Sequence, residues 1–245
     1  MNPELILELN KFNGIIFNEL PHTYNYNGLD CRSVTNILGD YKKDFDKEKM
    51  AFFYGRKHNI SVYDVLDMWD TERERSCNVG SHVHKYMELS FNEKLYTESE
   101  DNLPGSLVSI CDQFIKQSKN KLIPVKSEFI VGDFNKAICG MIDQIFYNVK
   151  AGEYQIWDWK TNKKMRSSSE FGNKMINGLG NLDECEMNTY SLQLAMYKKI
   201  IQENTNIVLG DSYICWINEA QMFPKVIKTF DFQKEIDLIW SKLAA

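Results

Sequence analysis

Gly140-Met-Ile-Asp143-Gln-Ile-Phe-Tyr147, a turn at Lys150-Ala-Gly-Glu153, then Tyr154-Gln-Ile-Trp-Asp158-Trp-Lys160-Thr161: this stretch decides how the chain is read. Its two halves are rich in Ile, Phe, Tyr and Trp around a Gly-containing turn, the pattern of consecutive strands. Alternate side chains of a strand share a face, so Asp158 and Lys160 point the same way. If the segments pair as a hairpin, Asp143 and Asp158 converge at one end of it. Two carboxylates can hold a hard divalent cation through oxygen. An ammonium two residues away can orient a water or stabilise charge developing on a phosphate. Phosphodiester hydrolysis needs that set of parts. The same residues also fit surface acids on an edge strand with Lys160 as their partner. Against that reading, Asp158 sits between Trp157 and Trp159, where a buried charge needs a partner or a metal.

Working outward, residues 125–132 form a third strand-like run ahead of 136–149 and 154–160. Residues 14–38 read as a hairpin that turns at Asn27-Gly28 and ends on Ser33-Val-Thr. Residues 40–76 interleave charges of both signs with apolar residues at helical spacing, as solvated helices around Phe52, Val65, Leu66 and Trp69. Two further helices are expected at about 78–94 and 105–119, the second with Leu107, Ile110, Cys111, Phe114 and Ile115 on one face. Ser167 to Asp183 has no clear period and reads as a long functional loop. A helix at about 185–203, strands near 207–217 and 223–231, and a helix from 233 complete the chain. The order predicts an α/β fold, with a mixed β-sheet core flanked by helices. Its expected parts are an N-terminal hairpin and helical elaboration over 1–77 and a core over 78–241. The last residues, 242–245, read as vector-derived.

With 29 Lys+Arg against 34 Asp+Glu, the net charge of −5 excludes a surface that grips nucleic acid everywhere by charge. A local basic lip remains: residues 160–174 hold Lys160, Lys163, Lys164, Arg166 and Lys174 against Glu170 alone. The six cysteines are scattered with no C-x-x-C pair, which speaks for reduced thiols in a cytoplasmic protein and against an iron–sulfur cluster or structural zinc. The N-terminus has no secretory pattern, and no run approaches the roughly 18 apolar residues of a membrane span.

Two helical groups add candidates. Gly80, His84 and Glu88 fall at i, i+4 and i+8 on one stripe. There His84 can ligate a metal and Glu88 can support it one turn away, although a packed histidine capped by a glutamate gives the same pattern. His82 lies on another face. Gln193 and Tyr197 share a helix face beside Tyr190; they suit contacts to a phosphate or base, and equally an ordinary amphipathic core helix.

Taken together, these residues resemble the PD-(D/E)XK nuclease superfamily in its RecB-like exonuclease branch. Gly80…His84…Glu88 is similar to that branch's first helical motif. Glu128 followed by Gly140-Met-Ile-Asp143 is similar to its glutamate and G-x-x-D strand, Asp158-Trp-Lys160 to its D/E-x-K element, and Gln193…Tyr197 to its Q-x-x-x-Y helix. His22-Thr-Tyr…Ser33-Val-Thr resembles phage and mitochondrial members. The resemblance covers about residues 20–230.

It implies a restriction-endonuclease-like fold and Mg²⁺- or Mn²⁺-dependent cleavage of DNA. His84, Asp143 and Asp158 would be metal ligands and Lys160 the catalytic lysine, with Glu128 near the metal in some members and structural in others. Gln193 and Tyr197 would position the strand or the lysine, and Tyr190, Lys163, Lys164 and Arg166 would touch DNA. The carboxy-terminal cysteine group of cluster-bearing relatives is missing, which implies a member without iron–sulfur. The implied activity is an exonuclease on single-stranded DNA or DNA ends, in phage-type recombination or DNA processing. A recombination or single-strand-binding protein is the candidate partner. Phe52, Phe53, Tyr54 and Phe171 are candidates for stacking on bases. The alternatives are a catalytically silent DNA-binding or scaffold module, a structure-specific endonuclease, and RNA as substrate.

Overall fold

The computed structural model describes residues 3–18, 23–96 and 103–243. In chain order it has α1 (Pro3–Leu9), β1 (Ile15–Asn18), β2 (Thr23–Tyr26), β3 (Leu29–Ser33), α2 (Val34–Gly39), α3 (Lys47–His58), α4 (Val62–Phe91) and α5 (Gly105–Ser118). There follow β4 (Leu122–Asp133), β5 (Ile138–Asn148), β6 (Glu153–Lys160), α6 (Glu186–Asn204), β7 (Leu209–Trp216), β8 (Lys225–Lys228) and α7 (Gln233–Lys242). The eight strands make one mixed sheet, ordered β1-β2-β3-β5-β6-β7-β8, with β4 paired to β5. The β3–β5 and β6–β7 pairs are parallel and the others antiparallel. This is the mixed α/β, restriction-endonuclease-like architecture that the sequence predicts.

Alternation along β6 explains its position. Ile156 joins the core beneath α6 and α7, while Trp157 and Trp159 join a second core with Val83 and Met87 of α4 and Phe114 of α5. Asp158 therefore points to the α6 side of a sheet covered on both faces, and is 1% exposed. The edge-strand reading of Asp143 and Asp158 does not hold, because both acids are buried in central strands.

One irregularity of the sheet creates an opening. β5 pairs with β4 along its length. On its other edge it meets β6 over Gln144–Asn148 and β3 over Ile138–Cys139. Gly140–Asp143 thus lie at the fork where β3 and β6 part.

The helices differ from expectation in three places. The chain from Val62 to Phe91 is one 30-residue helix, not separate helices on either side of residue 77. No proline interrupts it, and a lone Gly80 costs only about 1 kcal/mol inside a helix. Second, the hairpin region ends in α2, because the Ser33 hydroxyl caps it by accepting the Asn36 N–H at 3.1 Å. Third, Phe52 is exposed, and the α3 residues buried against α4 are the small Ala51 and Gly55. The Asn27-Gly28 turn is as read, with both residues at positive φ (50° and 90°). Lys242 closes α7 and donates to the Asn177 carbonyl at 2.6 Å. Residues 244–245 and His22 lie outside the described residues. Among the described residues no helix is long and apolar enough to cross a membrane.

Candidate metal centre

β4, β5, β6 and α4 bring four side chains to the fork. β5 supplies Asp143 and β6 supplies Asp158, from the positions just past the last β5–β6 pair, Gln144↔Trp157. The Asp143 carboxylate accepts the Trp159 backbone N–H at 2.7 Å through Oδ2, which ties one strand to the other where they diverge. β4 supplies Glu128 from a backbone with φ 46°, an unusual left-handed conformation for a non-glycine inside a strand. Such a residue costs about 1–3 kcal/mol and persists where the surroundings over-determine it, commonly at functional sites. α4 supplies His84.

The histidine tautomer follows from its partners. Nε2 lies 3.0 Å from the Trp159 carbonyl oxygen, which can only accept, so Nε2 carries the proton. In the neutral ring Nδ1 then presents its lone pair to Asp143 Oδ2 at 3.5 Å and Glu128 Oε1 at 4.0 Å. Donor atoms of His84, Glu128 and Asp143 lie within 4.8 Å of one another. Three lone-pair donors facing one point repel unless a proton or a cation sits between them. Ring N–H donation to a backbone carbonyl is the usual way a ligating histidine is oriented.

The electrostatics agree with the geometry. Burial, with Asp143 next in effect and then Glu88 and Asp158, pushes the Glu128 carboxyl up to about 8. Its Oε1 is buried with no hydrogen-bond partner among the described residues. Two carboxylates and an imidazole suit Mg²⁺ or Mn²⁺, with the nitrogen favouring the softer Mn²⁺.

Asp158 stands behind this trio. Burial raises its carboxyl to about 6, although Lys160 acts in the opposite direction. Lys160 Nζ is 2.7 Å from Asp158 Oδ2, close in distance but off the hydrogen-bond axis. The ammonium also sits 4.7 Å from the centre of the Tyr190 ring, a cation–π contact. Burial works against the charge on Lys160, but the Asp158 and Asp143 carboxylates outweigh it and hold the amine above its ordinary range.

The α6 residues do not reach into the cleft as free donors. Gln193 Nε2 donates to the Tyr197 hydroxyl at 3.0 Å, and both are buried. The Tyr197 ring lies where a side chain at Gly140 would be: a Cβ there would fall 2.3 Å from Tyr197 Cε1. The glycine of G-x-x-D and the tyrosine of Q-x-x-x-Y are thus packing partners under β5. At Gly80, a Cβ would sit 3.4 Å from Thr161 Oγ1, so that glycine leaves room where α4 passes the end of β6. Glu88 pairs with Lys85 at 2.8 Å and shares the cleft wall with His84.

The basic lip is weaker in space than in sequence. Lys163 pairs with Glu72 at 2.6 Å, Lys174 with Asp183 at 2.6 Å, and Arg166 with Glu186 at 2.5 Å and also with Glu170. Lys164 lies 3.9 Å from Glu170. Glu72, Asp183 and Glu186 come from outside residues 160–174, which no count over that window detects. Phe52, Phe53 and Phe171 are exposed, and none lines the metal cleft.

Sequence reasoning missed the wall opposite α4. The cleft, about 550 Å³, is also lined by Phe17, Tyr24, Ser33 and Thr35 from the N-terminal strands and the start of α2. Tyr24 is pushed up to about 12 by burial first, with Cys139, Glu128 and Asp143 adding to it. The quoted Thr-Tyr and Ser-Val-Thr segments were the available signal.

No family model matches the chain, and no curated protein matches it. Eighteen chains of solved structures do. One is the crystal structure of a candidate exonuclease from Eubacterium rectale, 14% identical, with a TM-score of 0.41. The match covers 69% of this chain and spans 64% of that structure's length.

Proposed function

We propose that the protein is a Mg²⁺- or Mn²⁺-dependent deoxyribonuclease, an exonuclease acting on single strands or DNA ends. The observation that carries this reading is the Nδ1 lone pair of His84, fixed by the Trp159 carbonyl and aimed at the Glu128 and Asp143 carboxylates. His84, Glu128 and Asp143 would hold the cation. Glu128 thereby joins the ligands, while Asp158 lines the same cleft and is committed to Lys160. When bound, the cation supplies Lewis-acid stabilisation of phosphate charge and lowers the pKa of a coordinated water.

The chain's own residues do the rest. Lys160 stays an ammonium, so it donates to phosphate oxygen or orients water and does not serve as the base. Asp158 and the Tyr190 ring hold that ammonium at the cleft wall. Asp143 links the two strands through the Trp159 N–H, so the fork that carries the acids keeps its width. Gln193 and Tyr197 act from below, by supporting Gly140 and the strand that bears Asp143.

Mn²⁺ binding, followed by paramagnetic resonance, tests the ligand set. Tight binding in the wild type with at least about tenfold loss in Glu128→Gln and Asp143→Asn is expected. Unchanged binding in both variants would overturn it.

A further inference from the structure

Because α4 is continuous, His84, Gly80, Cys77, Arg73 and Trp69 fall on one stripe of it, spaced by three or four residues. Three adjoining cavities open along that stripe. The metal cleft reaches Gly80 and His84. A second cavity, about 610 Å³, shares His84 and Lys160 with the first and extends past Cys77 to Arg73. A third, about 590 Å³, shares Arg73 with the second and is walled by Phe45, Lys47, Trp69 and Asp70.

The far end is an aromatic wedge. Phe45, between α2 and α3, is 68% exposed, and its ring centre lies 6.5 Å from that of Trp69 with the planes at 49°. That spacing is an aromatic pair in tilted contact, so the surface open to a base is the exposed face of Phe45 beside Trp69. Asp70 pairs with Lys47 at 2.6 Å and with Arg73 at 3.6 Å, so two cations stand beside the wedge. The second and third cavities together are lined by five cations (Lys47, Arg73, Arg75, Lys160 and Lys163), each already ion-paired, and by only three acids, so a strand's phosphates would have to share them with those partners.

We propose that the Phe45–Trp69 wedge seats a nucleobase of a single DNA strand whose backbone follows α4 from the metal cleft. The proposal rests on the nuclease reading above and assigns that site a second contact point. Flat, sequence-tolerant stacking beside a cationic track is how single strands are held without base readout. A packed helix would need a continuous apolar face, and the stripe instead carries Arg73, Cys77 and Gly80. Fifteen residues separate Trp69 from His84, about 22 Å at the helical rise. A strand covers that in about six nucleotides at ~3.4 Å each, and in fewer when extended. The seat therefore acts only on strands longer than roughly that.

Cleavage kinetics with Mn²⁺ on single strands of about 4 and about 16 nucleotides, the range of known single-strand site sizes, test this. The wild type is expected to show a KM at least about fivefold lower for the longer strand. Phe45→Ala is expected to raise the long-strand KM about fivefold or more, with kcat retained and the length preference largely lost. An abasic-site scan is expected to weaken wild-type affinity at one position four to six nucleotides from the cut (roughly the span of the track), and not in Phe45→Ala. Phe45 is exposed, so the variant folds; Trp69→Phe, read by loss of strand-induced fluorescence quenching, is the second test. A long-strand KM within twofold of wild type in Phe45→Ala overturns the seat while leaving the nuclease standing. A monomer–dimer equilibrium abolished by Phe45→Ala also overturns it, because a second copy would then be the occupant. Absence of cleavage by the wild type with any divalent cation overturns the underlying reading instead.

Discussion

Gly140→Ala places a methyl group 2.3 Å from Tyr197 Cε1 and 3.1 Å from Cζ. Ordinary carbon contacts begin near ~3.5 Å, so more than an ångström must be found. Neither side yields easily. Gly140 is held in register opposite Val131 in the β4–β5 ladder, and the Tyr197 ring is buried with its hydroxyl accepting from Gln193. Overpacking of this kind costs about 1–3 kcal/mol, and the shortness of the contact points to the upper half. At about 2–4 °C per kcal/mol for a chain of this size, the melting temperature should fall by about 4–12 °C. Because the strain presses on the strand that bears Asp143, cation affinity should fall with it. The assay is thermal unfolding of Gly140→Ala, Tyr197→Leu and the double variant. Leucine lacks the offending ring atoms, so the double variant should be at least about 1 kcal/mol more stable than the two single effects summed. A melting temperature within a degree of wild type for Gly140→Ala, or strict additivity, would refute the packing role of the glycine.

Three further outcomes follow from the site. Glu128, raised to about 8, and Asp158, raised to about 6, hold protons more tightly folded than unfolded. Their contribution to metal-free stability is greatest below pH 3.8–4.5 and is lost as pH rises through 6 and 8. Melting curves from pH 5 to 9 should decline in the metal-free protein, and the decline should flatten in Glu128→Gln or with saturating Mn²⁺; a pH-independent curve would contradict the buried acid cluster. Tyr190→Leu removes the ring beside the Lys160 ammonium and should lower kcat about 2- to 30-fold with KM little changed, the range of a cation–π contact. Tyr190→Phe should restore most of the rate, and equal loss in both variants would assign the role to the hydroxyl. Glu72→Gln releases Lys163 from its ion pair, so DNA binding should strengthen and its salt dependence steepen by about one counterion. Unchanged affinity across a salt titration would show that Lys163 stays clear of the strand.

Much of the core was legible because it is local. The strand runs around Asp143 and Asp158, the turn between them and the later helix all follow from short-range periodicity and turn residues. The burial of Asp158 was foreshadowed by Trp157 and Trp159, since a strand with large apolar neighbours on one face must be covered there. What stayed hidden depends on contacts between distant segments. The union of the helices across residue 77 has no marker, because Gly80 breaks the composition without breaking the helix. The resemblance offered Glu128 either near the metal or as a structural residue, and it meets His84 and Asp143 through its left-handed backbone and the fork of β5, which no local pattern shows. The cations of residues 160–174 looked like a lip until Glu72, Asp183 and Glu186 came to meet them from elsewhere in the chain. Tyr24 reaches the cleft because β3 pairs with β5 more than 100 residues later, a parallel contact that no local pattern announces.

Metal-dependent cleavage is tested most directly by time courses on 5′- and 3′-labelled linear DNA, single- and double-stranded, beside a covalently closed circle. The wild type with Mg²⁺ or Mn²⁺ should shorten linear strands from an end and leave the circle intact. Asp143→Asn and Asp158→Asn, folded by thermal unfolding, should leave every substrate intact. Cleavage by a cleanly purified Asp158→Asn variant at the wild-type rate would contradict the assignment of the site. So would a wild type that leaves every substrate intact with both cations, while cutting of the circle would contradict the exonuclease assignment.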